Sequence, residues 1–328
     1  MKGYIGRRLL AVLPVLFGIT FLSFGMMRLA GSDAVTEMYA NAGAVVSREV
    51  IDAARANLGL DKPFLTQYVS WLGGLLTGDM GVSHVSGRDV AGTFLSKLPA
   101  TLLLTLLSVV LTVVVSLPLG LVSAAAFSRS RTDCRPRWRR LYAAVDYAVR
   151  FVSFIGNSLP NFFVALLLMN FFALRLGWLP VIARGVTLES AMMPALTLTI
   201  AMSAKYLRQV RAAILEELTK DYVTGARARG VRERVILTGS VLRASTLTLV
   251  TLLALSIGSL LGGTAIIESI FLWDGVGKLA VDAITMRDYP VIQAYVVWMA
   301  VIYAAVNLVT DLLYLVLDPR IRLGAEPE

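Results

Sequence analysis

The feature that most constrains this chain is a succession of apolar stretches, each about 20 residues long, separated by short basic runs. A spanning helix rises 1.5 Å per residue against roughly 30 Å of hydrocarbon, so each stretch is long enough to cross a bilayer. The stretches cover residues 9–27, 101–126, 151–174, 191–207, 242–267 and 291–317. Hydrophobic residues make up 57% of the chain and charged residues 16%, against roughly 25% charged in an ordinary soluble domain. The pattern predicts an all-α polytopic membrane protein with about six transmembrane helices. The fourth stretch carries the weakest signal, because Lys205, Arg208 and Arg211 crowd its end. Pro118, Pro160 and Pro194 fall inside expected spans, where bundled neighbours can satisfy the freed carbonyls.

Orientation follows from Lys and Arg. With the N-terminus inside, the inner segments are 1–8, 127–150, 205–243 and 318–328, and 205–243 alone holds nine basic residues. The short outer loops are poor in them, which places both termini in the cytoplasm. The net charge of +9 is therefore a topology signal, not a nucleic-acid footprint. Lys2, Arg7 and Arg8 precede the first stretch as in a signal peptide. Its apolar run is longer than a signal core, however, and Arg28 stands where a cleavage site needs small residues. An uncleaved anchor is expected.

The region 31–99 is mostly polar, and Phe64, Tyr68, Trp71, Leu72 and Leu75 give it one helix with an apolar face, lying on the membrane or at the outer mouth of the bundle. Cys134 is the one cysteine and His84 the one histidine. They leave no internal disulfide, no paired-histidine zinc chemistry and no His/Cys metal cage within one chain. No metal site and no catalytic residue are expected. A role for His84 as a ligand is not expected, nor any role for Cys134 among its arginines.

Two kinds of segment could carry function. The inner loop 205–243 is too long for a turn. Residues 212–222 are good helix formers, and Gly230 permits a sharp turn between Arg229 and a second helical stretch. Such a helix–turn–helix, with small Ala226 and Ala228, would form a protruding elbow that a partner groove can approach closely. A basic loop that only fixes topology would carry the same residues. The other candidates are intramembrane polar faces. Asn157 and Asn161 stand at i, i+4 around Pro160, and Asn307, Thr310 and Asp311 share one helix face. Gly258 and Gly262 form a small-xxx-small pair. These faces suit either a wet pathway or helix packing.

The stretch Asp221-Tyr222-Val223-Thr224-Gly225-Ala226-Arg227-Ala228-Arg229-Gly230 resembles the coupling loop of ABC importer permeases, in the form found in the peptide/nickel permease family. Thr224 stands for that loop's Glu and Gly225 for its first Ala. Five further strings agree, in order: 58–83, 98–108, 158–168 with 176–180, 262–293 and 317–323. Asp274 departs from a Trp-Pro-Gly turn common in the family. The strings around 201–231 and 263–271 are slightly more similar to the nickel branch.

The resemblance implies a type I ABC importer permease in the bacterial plasma (inner) membrane. It implies an anchor and external segment at 1–98, a five-helix core at 99–323 and a cytoplasmic tail at 324–328. The implied partners are a second homologous permease, two ABC ATPase subunits and an extracytoplasmic substrate-binding protein. The ATPases would bind ATP and Mg and grip the 212–242 loop through Asp221, Tyr222, Thr224, Gly225, Ala226, Ala228 and Gly230. Asn157, Asn161, Asn307 and Asp311 would line a path for nickel complexes or di- and oligopeptides. In keeping with this division of labour, the chain has no phosphate-binding Gly-x-x-x-x-Gly-Lys-Ser/Thr motif; Gly275-Val276-Gly277-Lys278 lacks the spacing. A secondary transporter working without ATPases would favour inverted repeats and midplane charges. An intramembrane enzyme would need a Ser–His pair or two aspartates. Neither pattern is present.

Overall fold

A computed structural model describes residues 2–29, 35, 36, 39, 47–57, 61–132 and 135–317. Cys134 and the expected tail 324–328 lie outside the described residues. The helices are α1 Lys2–Leu29, α2 Arg48–Asn57, α3 Phe64–Thr77, α4 Val90–Thr132, α5 Pro136–Ser158 and α6 Asn161–Leu168. They continue with α7 Leu188–Leu218, α8 Asp221–Ala228, α9 Leu242–Ile270, α10 Val276–Thr285 and α11 Tyr289–Leu317. Wider π-type turns extend α6 through Met169–Arg175 and lead into α9 over Ile236–Val241. No β-strand occurs among the described residues; Val82 and Asp89 form a single bridge.

Two compact units divide the chain, one of residues 1–102 with 272–305 and the other of 103–271 with 306–328. In the first, the apolar face expected around Tyr68 packs on α1. Phe17, Phe21 and Phe24 meet Phe64, Tyr68 and Trp71 with ring centroids 5.3 to 6.0 Å apart. Thr20 donates its hydroxyl to the Phe17 carbonyl, so the Tyr68 hydroxyl must donate to Thr20, 3.0 Å away. Pro63 starts α3, and Gly78, at φ 87°, closes it through the left-handed turn that glycine adopts without strain. In the same unit the buried Asp288 carboxylate accepts from the Ser83 hydroxyl at 2.5 Å and the His84 backbone N–H at 3.1 Å. Trp273 is fully buried and donates to the Ala100 carbonyl, and the departing Asp274 pairs with Lys97.

The second unit is organised on α7. Thr187 caps it, accepting from the Ser190 N–H. Its neighbours approach through small residues. A Cβ added at Gly120 of α4 would lie 2.5 Å from Val210, and one at Gly156 of α5 would lie 3.0 Å from Ala204. The Ser153 hydroxyl donates to the Ala204 carbonyl at 2.5 Å, a bond that such closeness permits.

Four helices among the described residues are long and apolar enough to cross a membrane: Leu10–Leu29, Val90–Arg131, Glu233–Gly262 and Tyr289–Leu312. A fifth arises if α5 with the α6 segment counts as one span. The expected third span is not a single straight helix. It breaks at Leu159 and Pro160 with a bend of 101°. Pro160 has no N–H to donate, and it forces Leu159 into extended backbone (ψ 131°). The expected fourth span lies inside α7, which is not among the helices apolar enough to face lipid; Ser190, Pro194, Thr197, Thr199, Ser203 and Lys205 dilute its apolar residues. It is buried along most of its length by its own chain.

Candidate functional site

The expected elbow forms at the end of α7. Thr219 and Lys220 break the helix, α8 runs over Asp221–Ala228, and the chain reverses at Gly230. Gly230 has φ 74°, with its N–H on the Arg227 carbonyl and the next N–H, of Val231, on Ala226. This is the left-handed C-terminal turn that glycine favours. Val223 and Ala226 point inward to a core shared with Ile214, Leu218, Ile236 and Leu237. Two polar clamps hold the tip. The Tyr222 hydroxyl donates to Glu217 at 3.0 Å, and Arg227 pairs with Glu233 through both carboxylate oxygens at 2.7 and 3.2 Å. Burial, followed by the bond to Glu217, pushes the Tyr222 phenol up to about 12. The Arg227 guanidinium is likewise held above its usual range, first by its bond to Glu233.

The elbow residues therefore divide between two faces. Asp221, Tyr222, Thr224, Ala228 and Gly230 are exposed and Gly225 half-buried, whereas Ala226 is 8% exposed and packs on its own chain. Ala226 is small because the chain beneath it is close, so its side chain is not on the surface offered to a partner.

Sequence reasoning missed the group that ties this end of α7 to its neighbours. Asp146 of α5 is 4% exposed. Both of its oxygens accept from Arg211 of α7, at 2.8 and 3.0 Å, and the Ser123 hydroxyl of α4 donates to it at 2.5 Å. Arg211 also lies 4.9 Å over the Phe127 ring. One carboxylate thus joins three helices. The available signal was that Asp146 is the one acidic residue on an arginine-rich helix.

Asn157 and Asn161, on either side of the Pro160 break, line a cavity of about 180 Å³ with Lys205 and Ser256. Leu198, Met202 and other apolar side chains complete the wall. Arg208 donates to the Asn157 side-chain oxygen at 3.0 Å. Asn307 and Asp311, half-buried on α11, do not line this cavity. A Cβ at Gly262 would meet nothing within 4 Å.

Residues 116–323 match the family described as "Binding-protein-dependent transport system inner membrane component", and residues 1–105 match "Binding-prot-dependent transport system membrane comp, N-term". The chain is 38% identical over 333 residues to the oligopeptide transport system permease protein AppB of Bacillus subtilis (strain 168), covering 98% of this chain and 99% of that protein. It is 34% identical over 322 residues to the glutathione transport system permease protein GsiC of Escherichia coli (strain K12), with the same two coverages of 98% and 99%. Among solved structures, an inward-facing form of the MetNI methionine ABC transporter superposes with a TM-score of 0.58. It does so at 18% identity over 69% of this chain and 96% of that one, a likeness of fold.

Proposed function

Because the chain belongs to the family of inner membrane components of binding-protein-dependent transport systems, we propose that this multi-pass permease passes peptides inward and is driven through α8. Its partners in this reading are two ATPases that hold ATP and Mg²⁺, a second homologous permease and an extracytoplasmic binding protein. Peptides are favoured over nickel complexes because the relatives are named for an oligopeptide and for glutathione.

The observation that carries the coupling reading is the two-faced α8. Its inner face is locked into the core around Val223 and Ala226. Its outer face presents Asp221, Thr224 and Ala228. A short helix fixed on one side and free on the other passes a push from a partner into α7 without bending away from it. At the far side of the Ser123–Asp146–Arg211 cluster, that push reaches α4 and α5 as well. Asn157 and Asn161 then belong to the path wall, with Asn307 and Asp311 contributing from α11.

The test is purification of the chain from detergent extracts of its native membrane, with mass spectrometry of what accompanies it. Two ATPases and a second permease are expected. Recovery of the chain alone, still transporting into liposomes without ATP, would mean a secondary carrier instead.

A further inference from the structure

We propose that the cavity beside Lys205 receives a carboxylate of the transported molecule. This inference rests on the permease reading and names the chemistry that the path recognises.

The polar groups of this cavity are unbalanced in sign. Lys205 is its one charged lining residue, and no Asp or Glu lines it among the described residues. No carboxylate pairs with Lys205 or Arg208 among the described residues. Lys205 is exposed at the end of an expected span, and what singles it out is its place in the cavity wall with no acidic group beside it. Arg208 sharpens the point. A guanidinium has donors only, so the Asn157 side chain must turn its oxygen toward Arg208. That leaves the Asn157 amide N–H₂ as the group available to a ligand. Ser256 already donates its hydrogen to the Leu252 carbonyl, 2.7 Å away. The free donors at the cavity are then the Lys205 ammonium and the Asn157 amide, with Asn161 facing the same cavity from the other side of the Pro160 break. An ammonium and an amide N–H together suit a carboxylate, whose two oxygens accept both as charge-assisted bonds. The apolar wall of Leu198, Met202 and Leu260 leaves room for short side chains next to that group.

The experiment reads occupancy of the cavity directly. In the complex isolated from membranes, Cys134→Ser and Ser256→Cys place a single thiol of this chain on the cavity wall. Its rate of maleimide labelling is measured with millimolar trialanine, with trialanine amide, and with Ala-Glu-Ala amide. Trialanine is expected to slow labelling severalfold and its amide not to. Lys205→Gln should remove the protection and Lys205→Arg keep it. Protection by Ala-Glu-Ala amide as well would extend the site to side-chain carboxylates; its absence would confine the site to the peptide C-terminus. Equal protection by acid and amide, protection by neither, or protection that survives Lys205→Gln would overturn the proposal. The last outcome would make Lys205 a packing residue or a lipid-phosphate contact. The assay needs no transport, so its result is separable from that of the purification, which tests the permease reading itself.

Discussion

At the scale of single residues, a buried carboxylate, Asp146, and a half-buried imidazole, His84, decide behaviour that hydropathy does not report. Asp146 is 4% exposed and its Arg211 partner 17% in the side chain. Removing Arg211 leaves the buried carboxylate only the exposed Arg150 as counter-charge, 3.9 Å away, at a cost of up to about 3–5 kcal/mol. Arg211→Met should therefore lower the thermal midpoint in detergent by many degrees, while Asp146→Leu together with Arg211→Met recovers much of the loss. A double variant no better than the single one would mean that the pair acts through geometry and not charge. His84 sets a pH limit. Its pKa is lowered from 6.5 by burial, which the Asp288 carboxylate offsets only in part. The folded state thus binds fewer protons than the unfolded state as pH falls below 6.5. Stability from this group is complete above 6.5 and is lost on acidification toward the lower, folded value. His84→Gln should flatten the slope of melting temperature against pH across that window, and an unchanged slope would assign it to other groups.

At the scale of elements, the sequence announced the elbow well and the bend poorly. Helix formers up to Leu218, an acidic residue at Asp221 and a glycine at Gly230 are local signals, and the structure has α8 and the left-handed turn there. Which face of α8 points inward was not legible, because Ala226 and Ala228 are equally small and the deciding core residues, Ile236 and Leu237, come later in the chain. Pro160 signalled a break, but the 101° angle depends on how α6 and α5 each pack against α7. The Asp146–Arg211 pair, 65 positions apart, leaves no periodic trace at all. The faces of α8 give a paired prediction. Ala226→Glu forces a carboxylate into the core and should destabilise the chain by about 1–3 kcal/mol or more. Ala228→Glu should leave the melting temperature unchanged and reduce co-purification of ATPases. The reverse pattern would put the partner on the other face.

At the scale of the whole molecule, the open quantity is the number of crossings, and the loop between α6 and α7 reports it. If only α1, α4, α9 and α11 cross, residues from the end of α4 to the start of α9 all stay inside. If the bent pair and α7 cross too, residue 186 lies outside while residue 228 remains inside. A crossing by the bent pair alone would put residue 228 outside, on the far side from any ATPase. Helix α7 falls short of a lipid-facing composition, yet it does not need one. Ala195, Leu198, Met202 and Tyr206 are nearly enclosed by neighbouring helices, and a helix sheathed by its own bundle meets protein where others meet lipid. Six crossings therefore fit both the basic inner loops and the burial of α7. With Cys134 replaced by Ser, Val186→Cys should react with a membrane-impermeant maleimide only from the periplasmic side and Ala228→Cys only from the cytoplasmic side. Labelling of both positions from the cytoplasm would reduce the crossings to four. The cavity beside Lys205 would then have to be reached from the cytoplasm alone, which a pathway residue in an importer cannot be.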